Sequence, residues 1–340
     1  MNRKLIQQLD VTEANISSND LLILSQNTLE TLDINLQDVL EIVRDAYIGL
    51  RQGSDNPKKT IVQPTDQHSI AYSMVGRDCI SKTVGFKVVY EFDPQRNLDQ
   101  YHFHSFIFLC DDITGKPLAI MDVVKLGPLR TSATSALMAK AACPNAKTAL
   151  VVGTGIQGQM ALPMLVTAMP QLEILQIYGH YEAGIHAAQN NLKKYFPDRE
   201  IEIVQSLEHA AKHADIIIGV AGSSVTEQVH YQWMKKQSIA ILVGYGIDAD
   251  VFQQADCLIT TDTEQMKVTC NDLLADDGVI PPVYAELPDI LLDKASARET
   301  ADDIVFAYNS GMVVTDIALG RYLADKAIEA ANIGQRVALW

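Results

Sequence analysis

Two patterns of hydrophobic and polar positions divide this chain of 340 residues. From Leu36, the run LQDVLEIVRDAYIGLRQG places apolar residues at helical spacing up to Gly53, which predicts an amphipathic helix with a glycine stop. The next runs are rich in β-branched and aromatic residues and predict an antiparallel sheet: IVQP, SIAYSMV, TVGFKVVYEF, HSFIFLCDD and PLAIMD. The run LGPLRTSATSALMAKAAC then predicts another helix.

From Thr148 onward, short apolar strands alternate with helices of about a dozen residues, as in a doubly wound parallel sheet. The predicted fold class is therefore α/β, with a Rossmann-type parallel sheet and an N-terminal α+β sheet domain. A last helix from about Asp316 is long enough to return to the N-terminal domain and complete it. We expect residues 1–128 and 317–340 to form a substrate-binding and dimerisation domain, and residues 129–316 to form the dinucleotide-binding domain.

The run TALVVGTGIQG predicts a strand, a tight turn and a helix start. In this G-x-G-x-x-G pattern, Gly153 permits the turn, Gly155 admits a pyrophosphate and Gly158 allows close packing of helix on strand. Free backbone N–H groups of the turn, including those of Ile156 and Gln157, would face the phosphates. Glycine-rich turns also follow strands that bind nothing, but the strand and helix on either side favour dinucleotide binding.

The end of the second Rossmann strand bears on the choice of cofactor. An acidic residue at this point binds the ribose hydroxyls of NAD(H). Here EILQIY is followed by Gly179 and His180, so no acid occupies the expected place and His180 is available to a 2′-phosphate. No arginine lies nearby, and an exposed loop histidine is the alternative. The pattern favours NADP(H) within a general prediction of NAD(P)H.

Composition limits the class of partner. The chain carries 27 Lys and Arg against 42 Asp and Glu, a formal net charge of −15, which argues against nucleic acid and anionic membranes. No apolar run is long enough to span a membrane, and we expect a soluble, cytoplasmic protein with a small-molecule ligand. The five cysteines are scattered without a C-x-x-C pair, and we assign no metal.

Several segments together resemble the ornithine cyclodeaminase/mu-crystallin family. In chain order they are GFKVVYEF, ITGKPLAIMD, LRTSATSALMAK, VVGTGIQG, ADIIIGVAGSS and NSGMVVTDIALGR. The resemblance covers most of the chain, and its most specific pieces are GFK and LRTSATSAL. It implies a homodimer with an N-terminal sheet domain, a central nicotinamide-binding Rossmann domain and a C-terminal helix that returns to the first domain.

The resemblance also implies roles for individual residues. Lys87 of GFK corresponds to a lysine that contacts the substrate carboxylate beside the nicotinamide, and Arg130 to an arginine that grips a carboxylate or phosphate. An outward-facing strand lysine and a solvated arginine at a helix start are the alternatives. The residues expected to contact the cofactor are Arg130, Thr131, Gly153, Gly155, Ile156, Gln157, Gly158, His180, Ala221, Gly222, Ser223, Ser310 and Gly311.

The family's acid–base aspartate follows a strand, and Asp248 of ILVGYGIDAD is the candidate here, with Asp250 as its rival. The family's loop with proline, glycine and lysine is missing after it. Tyr72 stands where cyclodeaminases of the family place a glutamate for the amino group of ornithine. The family's arginine for the carboxylate is not obvious here: Lys58 or Lys59 is the candidate replacement, with a solvated loop lysine as the favoured alternative, and Lys59 and Tyr72 are both candidate substrate contacts. These departures weaken ornithine as the substrate.

The leading hypothesis is an NAD(P)-dependent oxidoreductase that moves hydride to or from the α-carbon of an amino or imino acid, with Lys87 and Asp248 as catalytic residues. The alternative is an amino-acid cyclodeaminase, which releases ammonia and recycles its cofactor. A non-catalytic protein that binds NADPH and a small ligand is the hypothesis of another class.

Overall fold

The computed structural model describes residues 20–65, 69–92, 103–275, 278–330 and 333–339. Its strands are β1 (Asp20–Leu24), β2 (Thr60–Val62), β3 (Ile70–Asp78), β4 (Thr83–Glu91), β5 (Phe103–Asp111), β6 (Pro117–Asp122), β7 (Thr148–Val152), β8 (Ile174–Tyr178), β9 (Glu202–Ile203), β10 (Ile216–Gly219), β11 (Ile239–Leu242), β12 (Cys257–Thr260), β13 (Val283–Glu286), β14 (Val305–Tyr308) and β15 (Gln335–Ala338). Its α-helices are α1 (Gln26–Glu30), α2 (Leu36–Gly49), α3 (Leu126–Ala142), α4 (Gly158–Ala168), α5 (Glu182–Tyr195), α6 (Leu207–Ala211), α7 (Ala249–Gln254), α8 (Thr263–Thr269), α9 (Leu287–Leu291) and α10 (Val313–Glu329). Within the described ranges, no helix is long and apolar enough to cross a membrane.

The strands form two sheets, which confirms the predicted fold class. The first has the order β15-β1-β6-β5-β4-β3-β2, and its neighbours from β2 to β6 are antiparallel, as the sequence predicted. The second has the order β13-β12-β14-β11-β10-β7-β8-β9 and is parallel throughout. Its central strands read as unbroken apolar runs because both faces of such a sheet are covered by helices.

Strand β1 was not predicted, and it makes the first sheet mixed. It pairs in parallel with β6 and antiparallel with β15, which the sequence also did not predict. Both strands are only four or five residues long and lie at one edge of the sheet. A short strand near the edge of a sheet carries a weak sequence signal, because few of its residues are buried and its pattern of buried and exposed positions is brief.

Strand β4 buries a lysine on its inner face and exposes large apolar side chains on its outer face. Gly85, Lys87 and Val89 are buried, whereas Phe86 and Val88 point outward and are 45% and 38% exposed. The partner strands continue this outward apolar face, with Val75 opposite Phe86 on β3 and Phe106 opposite Val88 on β5. The inner face of the sheet is the one that carries a lysine.

Helix α10 covers that inner face. It packs against β3, β4 and β5 of the first sheet and against α2 and α3. Gly76 and Gly85 face it closely, since a Cβ on either residue would lie 3.1 Å or less from the side chain of Ile317. The predicted return of the last helix to the N-terminal sheet is therefore present, while the exact domain boundaries stay a prediction.

Candidate active site

A buried ion cluster lies where β4, α3 and α10 meet. The ammonium of Lys87 is 2.9 Å from Oδ2 of Asp316, and Nε of Arg130 is 3.1 Å from Oδ1 of the same carboxylate. The side chains of Lys87, Arg130 and Asp316 are 6%, 16% and 2% exposed. One carboxylate thus bridges two cations, and the group as a whole keeps an excess positive charge.

Burial and charge act in opposite directions on these groups. Burial would raise the pKa of Asp316, but Arg130 and Lys87 together hold that pKa below its ordinary value. Burial lowers the pKa of Lys87, and the positive charge of Arg130 acts in the same direction, while Asp316 partly opposes both. Asp316 is therefore ionised, and Lys87 releases its proton more readily than an ordinary lysine does.

The cluster opens into a cavity that the glycine turn also reaches. The lining includes Lys87, Arg130 and Asp316 from the cluster, and Ile156 and Gln157 from the turn after β7. The remaining lining residues are Lys59, Tyr72, Met74, Phe103, Ser105, Val123, Val124, Gly127, Pro128, Gln265, Ser310, Gly311, Met312 and Val313. The structure thus brings most of the predicted substrate residues to the edge of the predicted nucleotide site.

The glycine turn has the geometry that a dinucleotide requires. Gly153 has φ +121°, and a Cβ there would lie 2.5 Å from the backbone nitrogen of Ala221. A Cβ on Gly158 would lie 2.1 Å from the carbonyl oxygen of Gly153, so helix α4 sits directly on the turn. A Cβ on Gly155, by contrast, would meet no atom within 4 Å, and neither would one on Gly222. Both glycines therefore have open space beside them, and at Gly155 this is the space through which a pyrophosphate can approach the backbone.

Two buried polar atoms, one in this turn and one next to Arg130 on α3, have no partner in the described part of the chain. They are Oγ1 of Thr131, on a residue that is 3% exposed, and Oε1 of Gln157. Buried polar atoms are nearly always hydrogen-bonded, so the unpaired Gln157 oxygen in the glycine turn fits a ligand that supplies the missing partner. The residues present therefore fit a nicotinamide dinucleotide.

Ser310 and Gly311 lie on the other side of the cavity, ahead of α10. The hydroxyl groups of Ser310 and Thr261 are 2.5 Å apart. Gly311 has φ +66°, and a Cβ there would come within 2.7 Å of Nη1 of Arg130. The absence of a side chain at Gly311 is what allows the Arg130 guanidinium to occupy its place.

Lys59 and Tyr72 form a separate group along the cavity wall. The ammonium of Lys59 lies over the ring of Tyr72, 5.1 Å from its centre, and the hydroxyl of Tyr72 donates to Glu91 at 3.2 Å. Lys58, the other lysine considered, is exposed and pairs with Glu264 at 3.2 Å. Of the two lysines, only Lys59 lines the cavity.

Asp248 lies outside the described cavity lining. It is the N-cap residue of α7, and its Oδ1 accepts a hydrogen bond from the backbone of Asp250 at 2.9 Å. Its other oxygen lies 3.8 Å from Nδ1 of His230, which is 3.2 Å from Oδ2 of Asp250. The sequence did not predict helix α7, and the acid–base role of Asp248 stays a prediction.

At the end of β8, the structure adds a carboxylate that sequence reasoning missed. The hydroxyl of Tyr178 donates to Glu227, which lies in the loop after β10, and the ring of Tyr178 contacts that of His180. His180 itself is exposed. Glu227 is 49 residues from Tyr178 in sequence, so spacing from the glycine turn could not identify it.

Asp316 is the other residue that sequence reasoning did not assign. Its signal was a lone acidic residue within the apolar run GMVVTDIALG, at a position that helical spacing places on the buried face of α10. A buried carboxylate requires a cationic or hydrogen-bonding partner, and here it has two.

Known proteins are similar to this chain over most of its length. A Delta(1)-pyrroline-2-carboxylate reductase of Bacillus cereus is 24% identical over 332 residues, 93% of this chain and 99% of that protein. The N-((2S)-2-amino-2-carboxyethyl)-L-glutamate dehydrogenase of Staphylococcus aureus is 24% identical over 242 residues, 69% of this chain and 71% of that protein.

The fold is also that of a solved structure. Thermococcus litoralis Delta(1)-pyrroline-2-carboxylate reductase, in complex with NADH and L-proline, superposes with a TM-score of 0.80 at 23% identity. The match covers 93% of this chain and 100% of the other. The profile of the ornithine cyclodeaminase/mu-crystallin family matches residues 21–331. The chain is an enzyme that belongs to the ornithine cyclodeaminase/mu-crystallin family.

Proposed function

We propose that the protein reduces an imino acid to an amino acid, with hydride transferred between NAD(P)H and the α-carbon. The observation that carries the proposal is the shared cavity, which the Lys87–Asp316–Arg130 cluster lines together with Ile156 and Gln157 of the nucleotide turn. Two relatives support this chemistry by name: one is a Delta(1)-pyrroline-2-carboxylate reductase, and the other is a dehydrogenase of an amino acid.

Arg130 and Lys87 hold the substrate carboxylate in this proposal. Nε of Arg130 is occupied by Asp316, which leaves its terminal nitrogens to bind a carboxylate through two parallel hydrogen bonds. Asp316 fixes the orientation of both cations without cancelling their combined charge. Fixing the carboxylate in this way orients the α-carbon relative to the nicotinamide and reduces the entropic part of the barrier.

Lys87 also supplies the proton. The nicotinamide supplies the hydride when it is bound, and a general acid supplies the proton that the imine nitrogen takes up as the amine forms. Arg130 cannot release a proton at accessible pH, whereas the pKa of Lys87 is lowered by burial and by the charge of Arg130. Lys87 is therefore the proton donor among the cationic groups of the cluster.

Asp248 is proposed as a second proton-transfer residue, which acts once the cofactor and substrate are bound. Asn is as good an N-cap residue as Asp, so D248N removes the charge and retains the cap of α7. We expect D248N to abolish turnover and leave cofactor binding nearly unchanged, while D250N, at the other carboxylate beside His230, stays active. Full activity in D248N would exclude this role.

The cavity argues against a cyclodeaminase acting on a diamine. Lys59 and Tyr72 occupy the wall, where a second amino group would meet the ammonium of Lys59; among the described lining residues the one carboxylate is Asp316, which already pairs with Lys87 and Arg130. A cyclodeaminase would release ammonia with no net change in reduced cofactor. We therefore expect net oxidation of the reduced cofactor when a 2-oxo acid and an amine are supplied.

NADP(H) is the proposed cofactor, because Gly179, His180 and Tyr181 follow β8 and the carboxylate of Glu227 is engaged by Tyr178. Thermal-shift titration with NADH, NADPH, NAD⁺ and NADP⁺ tests this, since the tightest binder gives the largest stabilisation. H180A should weaken NADPH and leave NADH unchanged. A larger shift with NADH than with NADPH would refute the preference, and no shift with any of the four would refute the proposed function.

The outward face of the first sheet supports a homodimer. Phe86, Val88, Val75 and Phe106 form a contiguous apolar face, and such faces are rarely left in water. A second copy of the chain is its proposed partner. Sedimentation should give two subunits for the natural chain and for I113E, whose side chain is exposed in the turn after β5, but one subunit for F86E. A monomeric natural chain would refute the dimer.

A further inference from the structure

Gln265 of α8 places an unpaired carboxamide at the cavity. The residue is 7% exposed and belongs to the cavity lining. Its backbone is engaged, because its N–H donates to Oδ1 of Asp262 at 2.7 Å and its carbonyl accepts from Oγ1 of Thr269 at 3.1 Å. Its side-chain amide has no hydrogen-bond partner among the described residues. A buried amide without a partner costs free energy, so this group is ready to bind a ligand.

Contacts at the start of α8 fix the position of this carboxamide. Asp262 caps the helix, and the N–H of Thr263 donates to Oε1 of Glu286 at 2.8 Å. The other oxygen of Glu286 pairs with Arg51. These contacts tie the start of the helix to the end of β13 and to the residues after α2, so Gln265 is held in the wall before a substrate binds. A group held in place in this way loses little freedom when it meets its partner.

Gln265 differs from the other polar side chains of the wall. Three of them, Lys59, Lys87 and Arg130, are cationic and suit a carboxylate. The uncharged hydroxyl groups of the lining already hydrogen-bond within the protein: Tyr72 with Glu91, Ser105 with the carbonyl of Val88, and Ser310 with Thr261. Gln157 belongs to the nucleotide turn. Among the described lining residues, Gln265 is therefore the uncharged side chain outside that turn whose hydrogen-bonding capacity is unused.

Apolar side chains make up much of the remaining wall. They are Met74, Phe103, Val123, Val124, Met312 and Val313. These side chains suit the carbon skeleton of a substrate, because apolar surfaces associate away from water. A substrate in this cavity thus meets cations at its carboxylate, apolar contacts along its chain and one free carboxamide. A carboxamide offers an acceptor oxygen and two donor hydrogens, so it matches a hydroxyl group or another amide.

We propose that the natural substrate is an imino acid whose side chain carries an uncharged hydrogen-bonding group, and that Gln265 is the residue that binds this group. The inference rests on the proposed function, because it leaves the α-carboxylate to the cations of the cavity. It assigns to Gln265 the choice between a polar side chain and an apolar one of similar shape. An apolar side chain would leave the buried carboxamide unpaired and would therefore bind less tightly.

The test compares amino acids of similar shape that differ in side-chain polarity. Threonine is paired with valine and glutamine with methionine, and kcat/KM is measured in the oxidative direction. The natural chain should prefer the polar member of a pair by about ten- to a hundredfold, as expected when a buried amide would otherwise stay unpaired. Q265M has a side chain of similar length without an amide, so it should lose this preference and keep its rate with valine and methionine.

Q253M is the matched control. Gln253 is a half-buried glutamine of α7 outside the described cavity lining, and its amide donates to the carbonyl of Leu273 at 2.8 Å. Q253M should retain the preference of the natural chain. Without substrate, Q265M should melt at no lower temperature than the natural chain, because methionine leaves no buried amide unpaired. A lower melting temperature would show that the amide has a partner within the protein, and it would refute the inference.

Two further outcomes would overturn the inference. If Q265M slows the polar and the apolar amino acids equally, Gln265 contacts the α-carboxylate or the cofactor. If the natural chain shows no preference in either pair, the carboxamide does not select the side chain. Should no amino acid be turned over, the proposed function fails, and binding then decides the inference separately. Threonine or glutamine should stabilise the cofactor-bound protein against heat more than its apolar counterpart, in the natural chain and in Q253M but not in Q265M; equal shifts would refute it.

Discussion

The ammonium of Lys87 lies 2.9 Å from the carboxylate of Asp316, although 229 residues separate them in the chain. This contact joins β4 to α10, and through Arg130 it also joins both to the N-terminal part of α3. The N-terminal sheet and the C-terminal helix thus meet at residues that line the same cavity as Ile156 and Gln157 of the nucleotide turn. Stability and activity share this cluster, and substitutions within it should affect both.

Removal of the Asp316 charge should strongly destabilise the fold. D316N leaves Lys87 and Arg130 buried without a counter-ion, which costs about 3–5 kcal/mol in the free energy of unfolding. The control is D325N on the same helix, where the Arg321 pair is more exposed and contributes about 1 kcal/mol or less. Because the pKa of Asp316 is lowered by folding, its contribution is present above the unfolded value of about 3.9 and disappears as pH falls through the folded value.

Urea unfolding of the two variants measures this difference. At neutral pH, D316N should unfold at much lower urea than the natural chain, and the two curves should converge as the pH falls through the pKa of Asp316. A D316N variant as stable as D325N would show that the cluster is not a stabilising ion group.

The pH dependence of imine reduction should report the ionisation of Lys87. Its lowered pKa means that the ammonium form is lost below the ordinary lysine range of about 10.4. The reductive kcat/KM should therefore be highest at lower pH and fall as pH rises through that pKa. K87R keeps the charge but cannot donate a proton, so it should still bind substrate, and its much lower residual activity should no longer fall with rising pH. An unchanged profile in K87R would assign proton donation elsewhere.

Substitution at Gly155 should separate cofactor binding from folding. A methyl group there meets no atom of the protein within 4 Å, so G155A should melt at the same temperature as the natural chain without cofactor. The added methyl group occupies the space that the pyrophosphate needs, and the cofactor-induced rise in melting temperature should disappear. A normal rise in G155A would mean that the dinucleotide does not approach this turn.

Gly311 should control the position of Arg130. G311A introduces strain at φ +66° and places a methyl group 2.7 Å from Nη1 of Arg130. We expect KM for the substrate to rise about tenfold or more, as when one charged hydrogen bond is lost. G115A provides the control, because Gly115 has φ +71° but open space around it, so it carries the backbone strain alone. Equal KM values in the two variants would contradict the contact.

The sequence predicted the parallel sheet and the glycine turn well, because both depend on local patterns. Runs such as ALVV and III are apolar on both faces and are followed directly by glycine. The orientation of Lys87 could not be predicted in this way. Strand β4 has apolar residues on both faces, so its alternation does not show which face is inward. The resemblance to the family indicated Lys87, and packing under α10 explains its burial.

Long-range contacts account for most of what the sequence left out. Asp316 and Glu227 reach their partners across 229 and 49 residues, and no spacing rule connects positions so far apart. Asp248 shows a different difficulty. Its place after an apolar strand is the same in sequence whether it faces a ligand or caps a helix, and the short helix α7 carries too few residues for its periodicity to be recognised.

Transfer of labelled hydride tests the central claim most directly. The protein is incubated with NADPH carrying deuterium at the transferable position, together with a 2-oxo acid and ammonia, and the amino acid is analysed by mass spectrometry. We predict one deuterium on the α-carbon of the product and oxidation of one cofactor for each amino acid formed, with both lost in K87M. An amino acid formed without deuterium on its α-carbon, or cofactor binding without any product, would contradict the account.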